Sequence, residues 1–391
     1  MTLRIAMIGH GFMGAAHSQG WRVAPRFFDL PEAVEMAVVV GRNADAVAAA
    51  AEKWGWAESA TDWREVITRE DIDIVDIVTP GDSHAEIAIA ALEAGKHVLV
   101  EKPLANTVEE AEAMADAAAR AAERGVRSMV GFTYRRVPAA TLARDLVAAG
   151  RIGEIRQVRA SYRQDWLRDA EGPMTWRLDK ERAGSGALGD IGAHAIDLSE
   201  YITGLRLASV SGVVDTIVAE RPLLADGVGL SGTASTERGI VTVDDVALVS
   251  GRYAAAEGAY APLGSFEATR FATGRKNALR VEVSGSLGAV AFDLERLNEL
   301  SFYDATLPAN EQGFRTIYVT EHDHPYLAPW WPAGHMLGYE HGFSHQAVDL
   351  VTAIADGTQP EPSFADGLHV QRVLDAVERS SAAGSAWIST D

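Results

Sequence analysis

The sequence contains no cysteine, and this absence removes several kinds of chemistry at once. Disulfide bonds, thiolate nucleophiles and zinc sites with cysteine ligands are excluded, because each of them needs a thiol. No apolar run approaches the roughly 20 residues that cross a bilayer, and the chain starts without the basic and apolar regions of a secretion signal. We therefore expect a cytoplasmic protein that has no membrane partner.

Positive charge is also scarce, because 35 lysines and arginines face 55 aspartates and glutamates. The resulting net charge of −20 would repel the phosphates of nucleic acids and of anionic membranes, so nucleic acid is not expected as a partner. With 391 residues, the chain is long enough to form two domains around sizeable cores. A small molecule remains as the expected partner.

The most informative stretch lies at the start, where a short apolar run leads into Gly9-His10-Gly11-Phe12-Met13-Gly14 and then into a helix-like segment. This spacing suits a dinucleotide, because Gly9 allows a tight turn, Gly11 lets backbone N–H groups approach the pyrophosphate, and Gly14 permits close packing. The helix start adds partial positive charge. The stretch predicts nucleotide binding; the alternative is a glycine turn that binds no ligand.

Strand and helix patterns alternate up to about residue 130, which predicts a doubly wound parallel sheet of the Rossmann type. Between residues 208 and 303 the patterns are mostly those of strands, which predicts an α+β domain with a largely antiparallel sheet. We therefore divide the chain into residues 1–128 and 129–391. Doubly wound sheets bind ligands at the carboxyl ends of their strands. The polar or special residues at those ends are Arg42, Thr79, Pro80, Glu101 and Lys102.

Lys102 follows one of these strands, and its ammonium could hydrogen-bond a substrate oxygen and transfer its proton. An ordinary surface pair of Lys102 with Glu101 is the alternative. Asp190 and His194 are four residues apart in a predicted helix, so the carboxylate could orient the imidazole and raise its basicity. Asp197 could be a further neighbour of His194, and an ordinary helical ion pair is the alternative.

The last third of the chain is rich in histidine, at positions 322, 324, 335, 341 and 345. His341 and His345 share a helical face, but no H-E-x-x-H motif surrounds them, so we expect no metal site. A polar substrate pocket is the preferred interpretation of this region. The neighbouring Trp330 and Trp331 offer flat apolar surfaces on which sugar rings stack, although a packed aromatic loop remains the alternative.

Taken in order, these motifs resemble those of the Gfo/Idh/MocA oxidoreductases, which include glucose–fructose oxidoreductase and inositol dehydrogenase. The resemblance covers nearly the whole chain. It rests on the glycine fingerprint, Thr79-Pro80 with His84, Glu101-Lys102-Pro103, the run from Gly189 to Asp197, and the segment Pro362 to Gly367. The subgroup that contains levoglucosan dehydrogenase and the glycoside 3-dehydrogenases is the most similar. That finer resemblance rests on Arg135-Arg136, Gln164-Asp165-Trp166, Trp176-Arg177 and residues 184–190.

The resemblance implies reversible hydride transfer between a nicotinamide and a secondary alcohol of a sugar, anhydrosugar, glycoside or cyclitol. It also implies an open second sheet that often mediates assembly, here into a homodimer or homotetramer. His194 would accept the hydroxyl proton, Lys102 would polarise the same oxygen, and Asp190 would tune His194. The implied cofactor-binding residues are Gly9, Gly11, Phe12, Met13, Gly14, Arg42, Thr79, Pro80, His84, Glu101 and Lys102. The implied substrate-binding residues are Tyr134, Arg135, Trp166, Trp176, Arg177 and His335.

The choice of dinucleotide depends on the end of the second strand, where NAD-specific sites usually carry an acid for the ribose 2′-hydroxyl. Gly41 stands there instead, and Arg42 could pair with a 2′-phosphate, so the sequence favours NADP over NAD. Arg42 could alternatively stack on adenine while NAD binds. Two other functions stay open: a non-catalytic NAD(P)-binding sensor, and an enzyme that retains its cofactor while it oxidises or cleaves a glycoside.

Overall fold

The computed structural model describes residues 2–228 and 231–391. Its strands are β1 (Thr2–Ile8), β2 (Ala33–Val40), β3 (Glu58–Ala60), β4 (Ile74–Ile77), β5 (His97–Val100), β6 (Ser128–Val130), β7 (Ile155–Arg163), β8 (Leu207–Asp215), β9 (Glu220–Val228), β10 (Ser231–Ile240), β11 (Val246–Tyr253), β12 (Leu263–Thr269), β13 (Ala278–Gly285), β14 (Gly288–Asp293), β15 (Glu299–Asp304), β16 (Arg315–Tyr318) and β17 (Ile388–Ser389). Its α-helices are α1 (Phe12–Phe27), α2 (Ala44–Trp54), α3 (Trp63–Ile67), α4 (His84–Glu93), α5 (Val108–Ala122), α6 (Pro138–Ala148), α7 (Lys180–Ala183), α8 (Ala193–Thr203), α9 (His341–Asp356) and α10 (Phe364–Ala382).

The chain divides into two compact units. The first unit is Met1–Thr133 with Tyr339–Gln371, and the second unit is Tyr134–Gly338 with Arg372–Asp391. The expected division had assigned everything after residue 128 to one domain, whereas residues 339–371 group with the first unit. The reason is packing: α9 lies against α1, where Gly20 lets the backbone approach so closely that a Cβ would stand 2.8 Å from the carbonyl oxygen of Phe343.

The first unit is built on a parallel sheet with the strand order β3-β2-β1-β4-β5-β6. The strands β1 and β4 are mostly apolar and largely buried, as in sheets that helices cover on both faces, and β4 also carries the buried Asp76. Leu350 and Val351 of α9 extend this core. The strand order confirms the predicted Rossmann sheet. From β1 to β3 the chain adds strands on one side of β1, and from β4 to β6 it adds them on the other side. The change of side occurs between β1 and β4, and such sheets bind nucleotides at that point.

The second unit contains a nine-stranded sheet with the order β16-β15-β14-β13-β7-β12-β11-β8-β17. In the described residues, β7 and β12 pair in parallel and the other neighbours are antiparallel, as predicted. The helices α6 and α8 lie against this sheet. Along β11 buried residues alternate with more exposed ones, the pattern of a strand with one covered face. A second, two-stranded sheet pairs β9 with β10 and was not predicted.

Within the parts of the chain described here, none of the helices combines the length and the apolar character that crossing a membrane requires.

Candidate active site

The glycine fingerprint forms the turn between β1 and α1 in the first unit. Gly9 has a φ of 113°, a left-handed value that favours glycine, and its N–H donates to the carbonyl of Val40. A Cβ on Gly14 would stand 2.9 Å from the carbonyl oxygen of Gly9, so the helix can start this close to the turn only with glycine there.

Gly11 is the N-cap of α1, and glycine has no side chain with which to cap the first N–H groups. Apart from its chain neighbours, no described heavy atom lies within 4 Å of the point where a Cβ on Gly11 would stand. Free N–H donors, the helix dipole and open space together fit a pyrophosphate. Phe12 is 63% exposed beside this turn.

The end of β2 carries a close contact that the sequence did not reveal. A Cβ on Gly41 would lie only 2.1 Å from Nδ1 of His10, so any side chain at position 41 requires the ring of His10 to move. Partial burial lowers the pKa of His10, which favours the neutral form of the ring. Arg42 next to it is exposed. An acidic side chain at this strand end would therefore have to displace the ring of His10.

His84 connects the loops that follow β4 and β5. Its Nε2 lies 2.9 Å from the carbonyl oxygen of Thr79, and its Nδ1 lies 3.0 Å from that of Pro103. Both nitrogens thus face the protein backbone, so His84 holds the Thr79-Pro80 turn against the turn of Lys102. The peptide bond between Lys102 and Pro103 is cis. The carboxylate of Glu101 is buried, and its Oε2 accepts the backbone N–H of Lys102 at 3.2 Å.

In the second unit, Asp190 lies in a π-helical turn, Leu188–Gly192, that precedes α8. The helix predicted around Asp190 and His194 is present, but it begins with this π-helical turn and becomes α-helical only at Ala193. The buried Asp244 anchors the turn, because its carboxylate accepts the N–H of Gly186 at 2.6 Å and that of Leu188 at 2.7 Å. A Cβ on Gly186 would lie 1.7 Å from the Asp244 carbonyl oxygen, so glycine is required there. Such turns often occur at functional sites.

Two arginines flank the carboxylate of Asp190. Nε of Arg177 lies 4.0 Å from one oxygen, and Nη1 of Arg270 lies 3.8 Å from the other. The guanidinium of Arg177 stacks on Trp176 at 4.4 Å, and that of Arg270 lies over Trp166 at 5.6 Å. Four residues singled out from the sequence are therefore assembled around Arg270, which the sequence analysis did not identify.

His194 is buried on α8 between two tyrosine rings. The ring centroids of Tyr134 and Tyr162 lie 4.6 and 5.9 Å from that of His194. The hydroxyl of Tyr162 donates to Oδ1 of Asn277 at 2.5 Å, so the hydroxyl of Tyr134, 2.9 Å away, donates to Tyr162. Aromatic rings around an imidazole exclude water, and they fix the plane of a ring that is to accept a proton.

The same hydrogen-bond chain continues to Trp166. Gln164 donates through Nε2 to Asn277 at 2.8 Å and accepts the indole N–H of Trp166 at 3.0 Å. Tyr134 and Trp166, both predicted to bind substrate, are thereby joined through Gln164 of the subgroup motif and through Tyr162 and Asn277, which the sequence analysis did not identify. Tyr162 is on β7 and Asn277 precedes β13, and only the pairing of these strands brings them together.

The other predicted substrate residues have different surroundings. Arg135 binds Asp197 through Nε at 3.0 Å and Nη2 at 2.6 Å, so this aspartate has a bidentate arginine partner that the helical spacing did not predict. His335 is exposed, and its Nδ1 lies 2.7 Å from the carbonyl oxygen of Pro332. Across residues 2–228 and 231–391, no group of three or more histidine, aspartate or glutamate side chains has an arrangement that could hold a metal ion.

Two family models match the chain: an NAD-binding Rossmann fold of the oxidoreductase family over residues 3–132, and the Gfo/Idh/MocA C-terminal domain over residues 141–291. The chain is also 42% identical to levoglucosan dehydrogenase of Pseudarthrobacter phenanthrenivorans, over 99% of this chain and 98% of the relative. The chain belongs to the Gfo/Idh/MocA oxidoreductase family. It is a nicotinamide-dependent dehydrogenase that acts on a CH–OH group of a sugar-like substrate.

Solved structures are similar over the full length. An oxidoreductase domain protein from Kribbella flavida has a TM-score of 0.94 and 62% identity, with 100% of both chains covered. Levoglucosan dehydrogenase in complex with NADH and levoglucosan has a TM-score of 0.91 and 41% identity, again with both chains fully covered. Its complex with NADH and L-sorbose has a TM-score of 0.92 and 41% identity, covering 100% of this chain and 99% of that one.

Proposed function

We propose that this protein oxidises a secondary hydroxyl group of levoglucosan or a closely similar anhydrosugar. The observation that carries the proposal is the full-length similarity to levoglucosan dehydrogenase, which extends through the second unit where His194 and Asp190 lie. A dehydrogenase needs a proton acceptor in a water-poor setting, and His194 between Tyr134 and Tyr162 has that setting.

The proposed reaction removes a proton from the hydroxyl oxygen and a hydride from the carbon that bears it, which leaves a carbonyl group. Bound NAD supplies the hydride acceptor. His194 takes the proton, and the ammonium of Lys102 donates a hydrogen bond to the same oxygen, which stabilises the negative charge that develops there. Asp190 favours the protonated form of His194 through its negative charge.

A substrate screen tests this proposal. Purified protein is incubated with NAD or NADP and with levoglucosan, glucose, a methyl glucoside, L-sorbose or myo-inositol, and the absorbance of the reduced nicotinamide is followed. We expect the highest kcat/KM with levoglucosan. A higher kcat/KM with glucose or inositol would contradict the substrate assignment. Reduced cofactor that stays bound after one turnover would identify an enzyme that retains its cofactor.

The cofactor preference is the second part of the proposal. The absence of a carboxylate at Gly41 and the exposed Arg42 support acceptance of NADP, as the sequence predicts. The structures of the 41% identical relatives contain NADH, which supports NAD. We propose that NAD is a working cofactor and that Arg42 lets the enzyme accept NADP as well. The ratio of the two kcat/KM values at saturating sugar decides between them, and no reduction of NADP would refute the role of Arg42.

We also propose that the open sheet of the second unit mediates assembly into a homodimer or homotetramer. Val213 and Leu248 are register partners on β8 and β11, and their side chains are 49% and 56% exposed. Neighbouring apolar side chains of this size favour burial against another surface. Light scattering after size-exclusion chromatography measures the mass, and a monomer at micromolar concentration would contradict the proposal.

A further inference from the structure

A buried ionic cluster lies next to Lys102 and has no part in the proposed reaction. His17 on α1 lies between two carboxylates: its Nδ1 is 2.9 Å from Oδ2 of Asp76, and its Nε2 is 2.9 Å from Oε1 of Glu101. Trp21, one turn further along α1, donates its indole N–H to the same oxygen of Asp76 at 2.7 Å. All four side chains are buried, and none of the residues is more than 5% exposed.

The hydrogen bonds define the protonation of this cluster. Ionised carboxylates only accept hydrogen bonds, so a ring with a carboxylate at each nitrogen needs a hydrogen on both. Burial lowers the pKa of His17, but the charges and hydrogen bonds of Asp76 and Glu101 outweigh that effect and raise its pKa to about 10. The titratable groups that act on the ring are these two carboxylates, Asp76 on β4 and Glu101 directly after β5. From α9, Phe343 packs on the ring, with the two ring centroids 5.3 Å apart.

The cluster is connected to Lys102 through Glu101. One carboxylate oxygen of Glu101 contacts His17, and the other accepts the backbone N–H of Lys102. Gly131 packs closely against the same carboxylate, because a Cβ there would stand 2.9 Å from Oε1 of Glu101. The carboxylate therefore has little freedom to rotate, and the backbone that carries the ammonium of Lys102 is fixed with it.

We infer that His17 is a positioning residue for Lys102: its imidazolium, held by Asp76, fixes the carboxylate of Glu101 and thereby the backbone of Lys102. This inference rests on the proposed dehydrogenase activity, in which the ammonium must meet the reacting oxygen. The positive charge of His17 is required because a neutral ring would present the lone pair of one nitrogen to a carboxylate 2.9 Å away in a buried site.

The test compares substitutions of two histidines at opposite ends of β5: His17, which contacts Glu101 directly after the strand, and His97, the first residue of the strand. His17→Gln removes the positive charge near the end of β5, while His97→Gln changes a histidine at its start. His97 is the matched control because its Nδ1 accepts the N–H of Arg127 and its pKa is lowered to about 4, chiefly by burial, so its ring is neutral. We measure kcat with saturating sugar and NAD, KM for both, and the Kd for NADH.

We expect His17→Gln to lower kcat by about tenfold to a hundredfold, the range that a small displacement of a positioned group produces. KM and the Kd for NADH should stay within about threefold of the original values, because His17 itself is not among the residues implied to bind either ligand. His97→Gln should change the melting temperature but leave kcat unaltered. A folded His17→Gln variant with unchanged kcat would overturn the inference.

Glu101→Gln provides a second variant should His17→Gln fail to fold. The amide keeps a carbonyl oxygen for the N–H of Lys102, but it lacks the negative charge that Glu101 places beside His17. We therefore expect kcat to fall and the pKa of His17 to decrease. An unchanged kcat in the folded Glu101→Gln variant would equally overturn the inference.

Nitrogen NMR of histidine-labelled protein reads the charge of the ring without any substrate. At about pH 8, where an ordinary histidine is neutral, both nitrogens of His17 should carry hydrogen. His17 is assigned by the loss of its signals in His17→Gln or by their shift in Glu101→Gln. A neutral His17 at this pH would overturn the inference. If no sugar is oxidised by the original protein while His17 is charged, the proposed function fails and the ionic cluster itself stands.

Discussion

Each unit contains a side chain proposed for catalysis in or next to an ionic cluster, which is buried in the first unit and half-buried in the second, and the two clusters have opposite compositions. In the first unit, one histidine lies between the carboxylates of Asp76 and Glu101 and adjoins Lys102. In the second unit, the carboxylate of Asp190 lies between the guanidinium groups of Arg177 and Arg270. Lys102, the proposed catalytic cation, thus adjoins a cluster of net negative charge. Asp190, the proposed catalytic anion, lies beside a pair of positively charged arginines.

This difference in composition determines which cluster depends on pH. The charge of His17 is lost when its ring deprotonates, whereas a guanidinium stays protonated throughout the range in which proteins are stable. Burial lowers the pKa of Arg270, while Asp190, Asp244 and Asp245 raise it, and the group remains a cation. Alkaline conditions should therefore weaken the first cluster and leave the second one intact.

The largest effect is expected from removing the catalytic groups themselves. Lys102→Met and His194→Ala should each lower kcat by about 10²- to 10⁴-fold, the range attributed to general acid–base groups. If both residues act on one oxygen, the double variant should be little slower than the slower single variant. Stopped-flow measurement of cofactor reduction gives the rates. Independent, multiplying losses would contradict a shared role, and near-normal turnover of either single variant would refute its assignment.

The second largest effect is expected from removing Arg270 from the cluster around Asp190. Arg270→Met leaves the buried Asp245 and the flanked Asp190 without this cation, so the free energy of unfolding should fall by about 3–5 kcal/mol, as for other broken buried pairs. Urea titration measures this loss. As the control, Arg159→Met removes an exposed partner of Glu282 and should cost less than about 1 kcal/mol. Equal losses in the two variants would show that Arg270 has no special structural role.

The first cluster should be weakened by pH alone. Because folding raises the pKa of His17 from 6.5 to about 10, the folded chain holds a proton that the unfolded chain has lost between these values. The stabilisation is fully present below about pH 6.5 and disappears as the pH rises through about 10. The difference in free energy of unfolding between the original protein and His17→Gln should decrease across this window. A constant difference would contradict a charged His17.

The smallest effect concerns the cofactor. Arg42→Ala should lower kcat/KM for NADP by about tenfold, as expected for a lost hydrogen bond to a charged group, and leave the value for NAD nearly unchanged. Steady-state kinetics with both cofactors measure the change. His10→Ala is a useful companion, because it removes the ring that crowds Gly41. An equal loss with both cofactors would show that Arg42 contacts a part that NAD and NADP share.

Much of the first unit could be predicted because its signals are local. The glycine spacing, the alternation of strands with helices and the residues at the strand ends are features of short segments, and each is present as expected. The three-residue β3 was missed because so short a strand has no periodicity to recognise. In the second unit, the ribbon Glu220–Val228 with Ser231–Ile240 was also missed, since it is polar and gains its structure from pairing.

The candidate site was harder to predict where it depends on distant partners. The sequence marked Asp190 and His194. Arg270 lies 80 positions from Asp190, directly after β12, and nothing in its neighbouring sequence distinguishes it from other arginines. Asn277 and Tyr162 meet through the pairing of β13 with β7. His17 looks like part of a polar helical face, and its partners lie 59 and 84 residues further along the chain.

By itself, the sequence determined the Rossmann turn, because the backbone geometry at Gly9 and Gly14 tolerates almost nothing else, and it marked the residues that carry chemistry. The tertiary structure alone decided what surrounds those residues. It added residues 339–371 to the first unit through the contact of α9 with Gly20. It also formed both ionic clusters, because buried charges need partners and such partners are brought together by folding rather than by proximity along the chain.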